Sequence, residues 1–148
     1  MGSFIRFCTS LILFALITSA SLAQTTPDAI LGKWITTSGN CIVEVYKQDQ
    51  EFKAKILWFK VTKKPMDDWT DEKNSNIALR KRKLLGMDVV HGLRYNSDEK
   101  QWVDGIIYDA TTGKEWNSIV WLTKDNFLKV KGYWLFRFLS ETKTFKRV

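Results

Sequence analysis

Glu51-Phe52-Lys53-Ala54-Lys55-Ile56-Leu57-Trp58-Phe59-Lys60 carries Phe52, Ala54, Ile56 and Trp58 on one face and Lys53 and Lys55 on the other. Strand side chains point alternately to opposite sides, so this period of two predicts a strand with one face in the core and one in water. The same theme continues outward in both directions. Upstream, strands are expected at 30–36 and 41–47, parted by Ser38-Gly39-Asn40, and Gln48-Asp49-Gln50 turns the second into 51–60. Downstream, they are expected at 87–95, 101–109, 115–122, 127–134 and 140–148. Asn96-Ser97-Asp98, Thr111-Thr112-Gly113 and Lys124-Asp125-Asn126 supply the turns between them. Thr26-Pro27-Asp28 suits one helical turn ahead of the first strand. The stretch 61–76 is polar and aperiodic, and 77–85 is mixed and basic, either a short helix or an irregular arm.

Eight short strands with hairpin-length connections predict an all-β, antiparallel, up-and-down barrel, because closure removes the sheet edges. An interior of that size is either filled by side chains or holds one small ligand. Each strand reverses direction, so the first begins where the eighth ends. Gly32, Trp34 and Arg147 therefore meet as a structural plug at one end, with a cation over an aromatic face. Gly32-Lys33-Trp34 followed by a late arginine resembles the lipocalin-like signature.

The first 23 residues read as an export signal. Arg6 supplies the positive start, 7–17 is apolar apart from Cys8, Thr9 and Ser10, and Ser21-Leu22-Ala23 suits cleavage before Gln24. The run is short for a bilayer span. The expected organisation is a signal peptide at 1–23 and a single barrel domain at 24–148, exported to the periplasm or secreted. The mature part carries 22 Lys and Arg against 16 Asp and Glu. Cys41 is then unpaired, so stability comes from packing rather than a disulfide. His91 is the single histidine, which excludes a structural zinc site. No metal and no cofactor are expected. Export argues against nucleic acid, and membrane contact is expected only through the signal peptide before cleavage.

Longer motifs carry a closer resemblance. These are Leu31-Gly32-Lys33-Trp34, Lys55-Ile56-Leu57-Trp58, Asp71-Glu72-Lys73-Asn74 and Leu79-Arg80-Lys81-Arg82-Lys83-Leu84-Leu85-Gly86. They continue with Gly105-Ile106-Ile107-Tyr108-Asp109, Gly113-Lys114, Leu128-Lys129-Val130-Lys131-Gly132-Tyr133 and Phe145-Lys146-Arg147-Val148. Over essentially the whole mature part, the chain resembles the exported bacterial family termed domain of unknown function 2147. It departs from the family's usual residues at Ser75, Lys83, Ala110, Trp116 and Phe145. The resemblance implies a lipocalin-like barrel and implies no activity.

The end opposite the plug carries the Gly39-Asn40 turn, the segment 61–86, the turn 109–114 and the connection 135–139, and loops at such a rim concentrate function. Alternation places Phe52, Ile56, Trp58, Leu128, Val130 and Trp134 towards the interior. Trp58, Trp116 and Trp134 are candidates to stack on a ligand, with core filling the blander alternative. Tyr108 stands beside Asp109, which suits the bonding of turn amides. His91 shares a strand face with Val89, Leu93 and Tyr95, and a lone histidine reads more readily as structural than catalytic. Arg80 and Arg82 belong to a basic lid, Arg80-Lys81-Arg82-Lys83 with Lys60, Lys63 and Lys64 on the same segment, that attracts an anionic ligand, a phospholipid surface or an acidic glycan, with a solvated loop face the blander alternative.

No nucleophile elbow, phosphate loop or carboxylate pair is visible. The leading expectation is non-catalytic binding of a small apolar or amphipathic ligand, an anionic one included, at the open end. The alternative is a filled barrel that engages an envelope protein. A hydrolase-like enzyme, with His91 beside Ser118 or Glu44, ranks third.

Overall fold

In the computed structural model, which describes residues 25–133 and 140–148, eight strands close into one antiparallel barrel in sequence order. They are β1 (Gly32–Thr36), β2 (Cys41–Gln48), β3 (Glu51–Phe59), β4 (Asp88–Asn96), β5 (Gln101–Asp109), β6 (Lys114–Leu122), β7 (Leu128–Tyr133) and β8 (Ser140–Arg147). The seam is the β1–β8 pairing, in register Trp34 to Arg147, Ile35 to Lys146 and Thr36 to Phe145. The expected signal at 1–23 with Gln24, and Trp134 with the connection 135–139, lie outside the described residues.

Short turns close the hairpins by local chemistry. Asp49 and Gln50 both take positive φ, 50° and 69°, the pair of values a two-residue hairpin turn needs. Asn96 accepts from the amides of Asp98 and Glu99. Asp109 accepts from the Thr111 amide and from the hydroxyls of Thr111 and Thr112, which fixes the β5–β6 turn. Burial pushes the Asp109 carboxyl up, but these hydrogen bonds outweigh it and hold the group below the ordinary carboxylate range.

The closed end is built on tryptophan. Trp34 and Trp102 are fully buried, beside Phe52, Leu93, Val120 and Leu128. A 3₁₀ turn, Pro27–Ile30, crosses beneath them, and backbone carbonyls of this turn and of Thr25 ahead of it take up the polar handles of the aromatics. Trp34 Nε1 donates to the Ile30 carbonyl at 2.8 Å, Trp102 Nε1 to Pro27 at 2.9 Å and the Tyr95 hydroxyl to Thr25 at 2.7 Å. Arg147 lies with its guanidinium 4.2 Å over the Trp34 ring and donates to the carbonyls of Leu31 and Ala29. Gly32 is required here. Its φ is 115°, and a Cβ on it would stand 3.0 Å from Arg147 Nη1.

Bulges correct two expected facings. On β3, Val43 pairs with Ile56 but Ile42 pairs with Trp58, so Leu57 is an extra residue and the parity flips beyond it. Trp58 therefore leaves the inner face, is 37 % exposed, and yields its place to Phe59. On β4, Phe52 pairs with Leu93 and Ala54 with Val90, an extra residue around Gly92. His91 is exposed for that reason, and Leu93 is buried.

Candidate functional site

The apolar parity of the strands, continued above the tryptophan floor, encloses a cavity of about 460 Å³ that runs from Ile30 to the open rim. Its walls are Val43 and Val45 of β2, Ala54, Ile56 and Phe59 of β3, and Val89, Val90 and Leu93 of β4. Ile107 of β5, Trp116 and Val120 of β6, Leu128, Val130 and Gly132 of β7, and Phe145 of β8 complete the ring. A concave, mostly apolar pocket of this size suits one small molecule. Cys41 also faces it, and burial pushes its thiol pKa up, so it stays a neutral apolar wall.

Three charged side chains line this cavity: Asp109, Glu141 and Lys143. Asp109 is taken by its turn. Lys143 Nζ donates to Glu141 Oε1, two residues away on the same strand face. The pair stands in register beside Val130 and Gly132 and is largely exposed, so it forms a wet polar spot beside the apolar wall.

The segment 60–87 leaves β3 and folds back on itself beside the rim. Asp71 N donates to the Arg82 carbonyl at 2.9 Å, Leu84 N to Trp69 at 3.0 Å, and Thr70 bridges Lys83. The Leu84 side chain reaches the cavity wall, and Trp69 meets Phe59 edge-on at 6.3 Å. A fully buried carboxylate, Asp71, anchors the fold-back. It accepts from the Tyr108 hydroxyl at 2.5 Å, Asn74 Nδ2 at 2.7 Å and Arg82 Nη2 at 2.8 Å. Burial pushes this carboxyl up, but the bonds from Tyr108, Asn74 and Arg82 and the Arg82 charge outweigh it, so its pKa lies below the ordinary range. The Tyr108 phenol is pushed up to about 12 by burial and by its bond to Asp71. Gly113 permits the same contact from the other side, since a Cβ there would collide with the Lys73 carbonyl.

The expected site residues therefore separate. Trp116 lines the cavity, and Tyr108 borders it with its hydroxyl committed to Asp71. Trp58 and His91 are exposed and lie outside that lining, and His91 faces an outer groove that it shares with Arg82, Asp88 and Glu115. Arg82 is engaged by Asp71 and covers the Tyr108 ring at 5.6 Å, while Arg80 Nε donates to the Asn74 carbonyl at 2.7 Å. Neither arginine lines the cavity, so the basic arm is a braced flank rather than a lid over the mouth. Trp134 lies outside the described residues. Gly32, Trp34 and Arg147 form the plug.

A triad on His91 is not assembled. Ser118 is fully buried inside the barrel with its hydroxyl unpaired, His91 is exposed, and Glu44 is bound to Lys55 at 3.1 Å. Among the described residues, no group of three His, Cys, Asp or Glu side chains is placed to hold a metal ion.

Sequence reasoning missed the Glu141–Lys143 pair, Phe59, Leu84 and the Asp71 anchor. The first had a usable signal: once Arg147 faces the plug, residues 145, 143 and 141 share its parity.

A family model described as an uncharacterized protein conserved in bacteria, DUF2147, matches residues 32–147. No curated protein matches the chain. Among solved structures, protein HP1028 from Helicobacter pylori, described as belonging to the lipocalin family, is similar with a TM-score of 0.68. That likeness covers 80 % of this chain and 82 % of the other at 21 % identity, and at that identity it speaks for the fold alone.

Proposed function

The chain belongs to the DUF2147 family of bacterial proteins, and from that premise we propose that it is an exported binding protein for a small apolar or amphipathic molecule held in the barrel. One observation carries the reading: the interior above the Trp34 plug is a continuous cavity with aliphatic and aromatic walls. The filled-barrel alternative loses its premise with that cavity. Burial of a ligand's hydrocarbon there supplies affinity at about 0.8 kcal/mol per methylene. Trp116 provides a flat contact near the mouth, and the Glu141–Lys143 pair offers an acceptor and a donor to a polar end.

The polar end we infer is neutral or zwitterionic. Lys143 is balanced by Glu141, Asp109 adds a further negative charge, and the arginines that suggested an anionic ligand lie outside the lining. Residues 1–23 act as the signal in this reading, with cleavage between Ala23 and Gln24 and release into the periplasm or the medium.

Native mass spectrometry of the exported protein, with extraction of whatever accompanies it, tests the proposal. It expects a bound small molecule of mixed polarity. A chain that carries nothing, and takes up nothing from a lipid and metabolite panel, defeats it.

A further inference from the structure

The rim carries a feature that ligand binding does not use. Residues 75–81 are exposed without interruption, and a 3₁₀ turn, Ile77–Leu79, sets Ile77 at 74 % and Leu79 at 38 % exposure. With Trp58, these are three of the four exposed large hydrophobic side chains among the described residues. The segment 60–87 also holds eight Lys and Arg against four Asp and Glu, a net charge of +4. Two of its cations are paired, Arg82 with Asp71 and Lys64 with Glu72. Lys60, Lys63, Lys73, Lys81 and Lys83 are exposed and form no ion pair among the described residues. This tip is not loose, because the Asp71 anchor and the contact of Lys73 with Gly113 brace it against the barrel.

We propose that this arm docks the barrel on an anionic lipid bilayer, with Ile77 and Leu79 entering the interface and the surrounding lysines facing the headgroups. Charge complementarity selects the partner. Two exposed apolar side chains, of which Leu79 also borders the outer groove beside His91, are far smaller than the roughly 800 Å² per side of a stable protein interface. They match interfacial attachment, where modest apolar insertion combines with cations drawn to anionic lipid. No helix among the described residues is long and apolar enough to cross a membrane. Leu84 belongs to the same segment and lines the cavity, so docking would bring the cavity wall to the bilayer. A phospholipid surface is among the partners that the basic run attracts, and the exposed Ile77 and Leu79 beside it single that partner out. The docking proposal stands on exposure and charge, independently of what the cavity holds.

The test is co-sedimentation of the mature chain with vesicles of phosphatidylcholine alone or mixed with phosphatidylglycerol. The expected result is partitioning about tenfold stronger on the anionic vesicles, falling with salt. Ile77→Ser with Leu79→Ser should lower it by about tenfold, since the burial of two aliphatic side chains is lost. Lys81→Glu with Lys83→Glu should remove most of the salt dependence. All four positions are exposed, and an unchanged melting curve verifies the fold of each variant. Absence of binding to the anionic vesicles overturns the proposal. So does binding that responds to the charge reversals but not to the serine pair, which is nonspecific cationic adsorption. Retention of an acidic protein by a chain that ignores vesicles overturns it as well.

Discussion

Arg147 and Trp34 are partners twice over: they are paired across the β1–β8 seam, and the guanidinium lies 4.2 Å above the indole. The same guanidinium donates to the carbonyls of Leu31 and Ala29, so one side chain ties the last strand to the first and to the turn beneath it. Arg147→Ala should cost about 2 kcal/mol, combining charge-assisted hydrogen bonds with a cation–π contact at a partly wet site. Arg147→Lys should recover little, because an ammonium cannot fork to two carbonyls while lying flat on a ring. Urea unfolding of the three proteins checks this. A loss under about 0.5 kcal/mol in the alanine variant would mean that the seam closes without the plug.

The Asp71 anchor predicts the pH profile of stability. Its folded pKa is lowered, so its stabilisation is present above the unfolded value and is lost as pH falls through the folded one. Stability should therefore decline below about pH 4. Asp71→Asn should be less stable at neutral pH and show a shallower acid decline. Tyr108 acts at the other end, as does Tyr46, whose phenol is raised by burial and by donating its hydroxyl to Asp88 at 2.8 Å. Both are raised to about 12, so their contribution is present below the unfolded value near 10 and fades as pH rises from there to about 12. Denaturant midpoints across pH measure both limbs, and an Asp71→Asn profile parallel to the parent would remove the anchor from the account.

Ser118→Ala should leave stability unchanged or raise it by up to about 1 kcal/mol. The Ser118 hydroxyl is buried without a partner, and its removal ends a desolvation cost without creating a large void. Thermal melting reads the difference, and a loss above about 1 kcal/mol would point to an interior hydrogen bond.

Much of this architecture was legible because closure is a consequence of counting. Eight alternating runs with short turns leave few ways to satisfy both sheet edges, and the ends of such a barrel must meet at Trp34 and Arg147. The facing of single residues was harder. Ile56-Leu57-Trp58-Phe59 is apolar at every position, so alternation stops carrying information where the bulge at Leu57 flips the strand. Val89 and Val90 both reach the cavity for a related reason, and the shift near Gly92 turns His91 outward. Asp71 was invisible to a search for apolar periods. It lies in a polar, aperiodic stretch, and its partners stand 11 and 37 residues away, brought to it only by the fold. The arginines drew attention as charge, yet Arg82 is committed to that hidden carboxylate.

The two tryptophans that flank the rim should behave oppositely. Trp116 lines the cavity and Trp58 lies outside its lining. Trp116→Ala should weaken uptake of an apolar probe by about 1.5–3 kcal/mol, near the value of one buried aromatic contact. Trp58→Ala should change it by less than about 0.5 kcal/mol. Probe titrations on both variants decide the matter, and equal losses would place the probe at the rim.

The central claim is that the hollow interior is the binding site, and filling it is the most direct trial. Gly132 lines the cavity, and a Cβ there would meet Trp116 at an ordinary 3.6 Å, so Gly132→Leu adds bulk without a backbone clash. The measurement is the fluorescence enhancement of the neutral apolar probe N-phenyl-1-naphthylamine on titration with each protein. Saturable binding of one probe per parent barrel is expected, with a loss of about tenfold or more in Gly132→Leu at unchanged stability. An absent enhancement in the parent, or equal binding by the filled barrel, would contradict the claim.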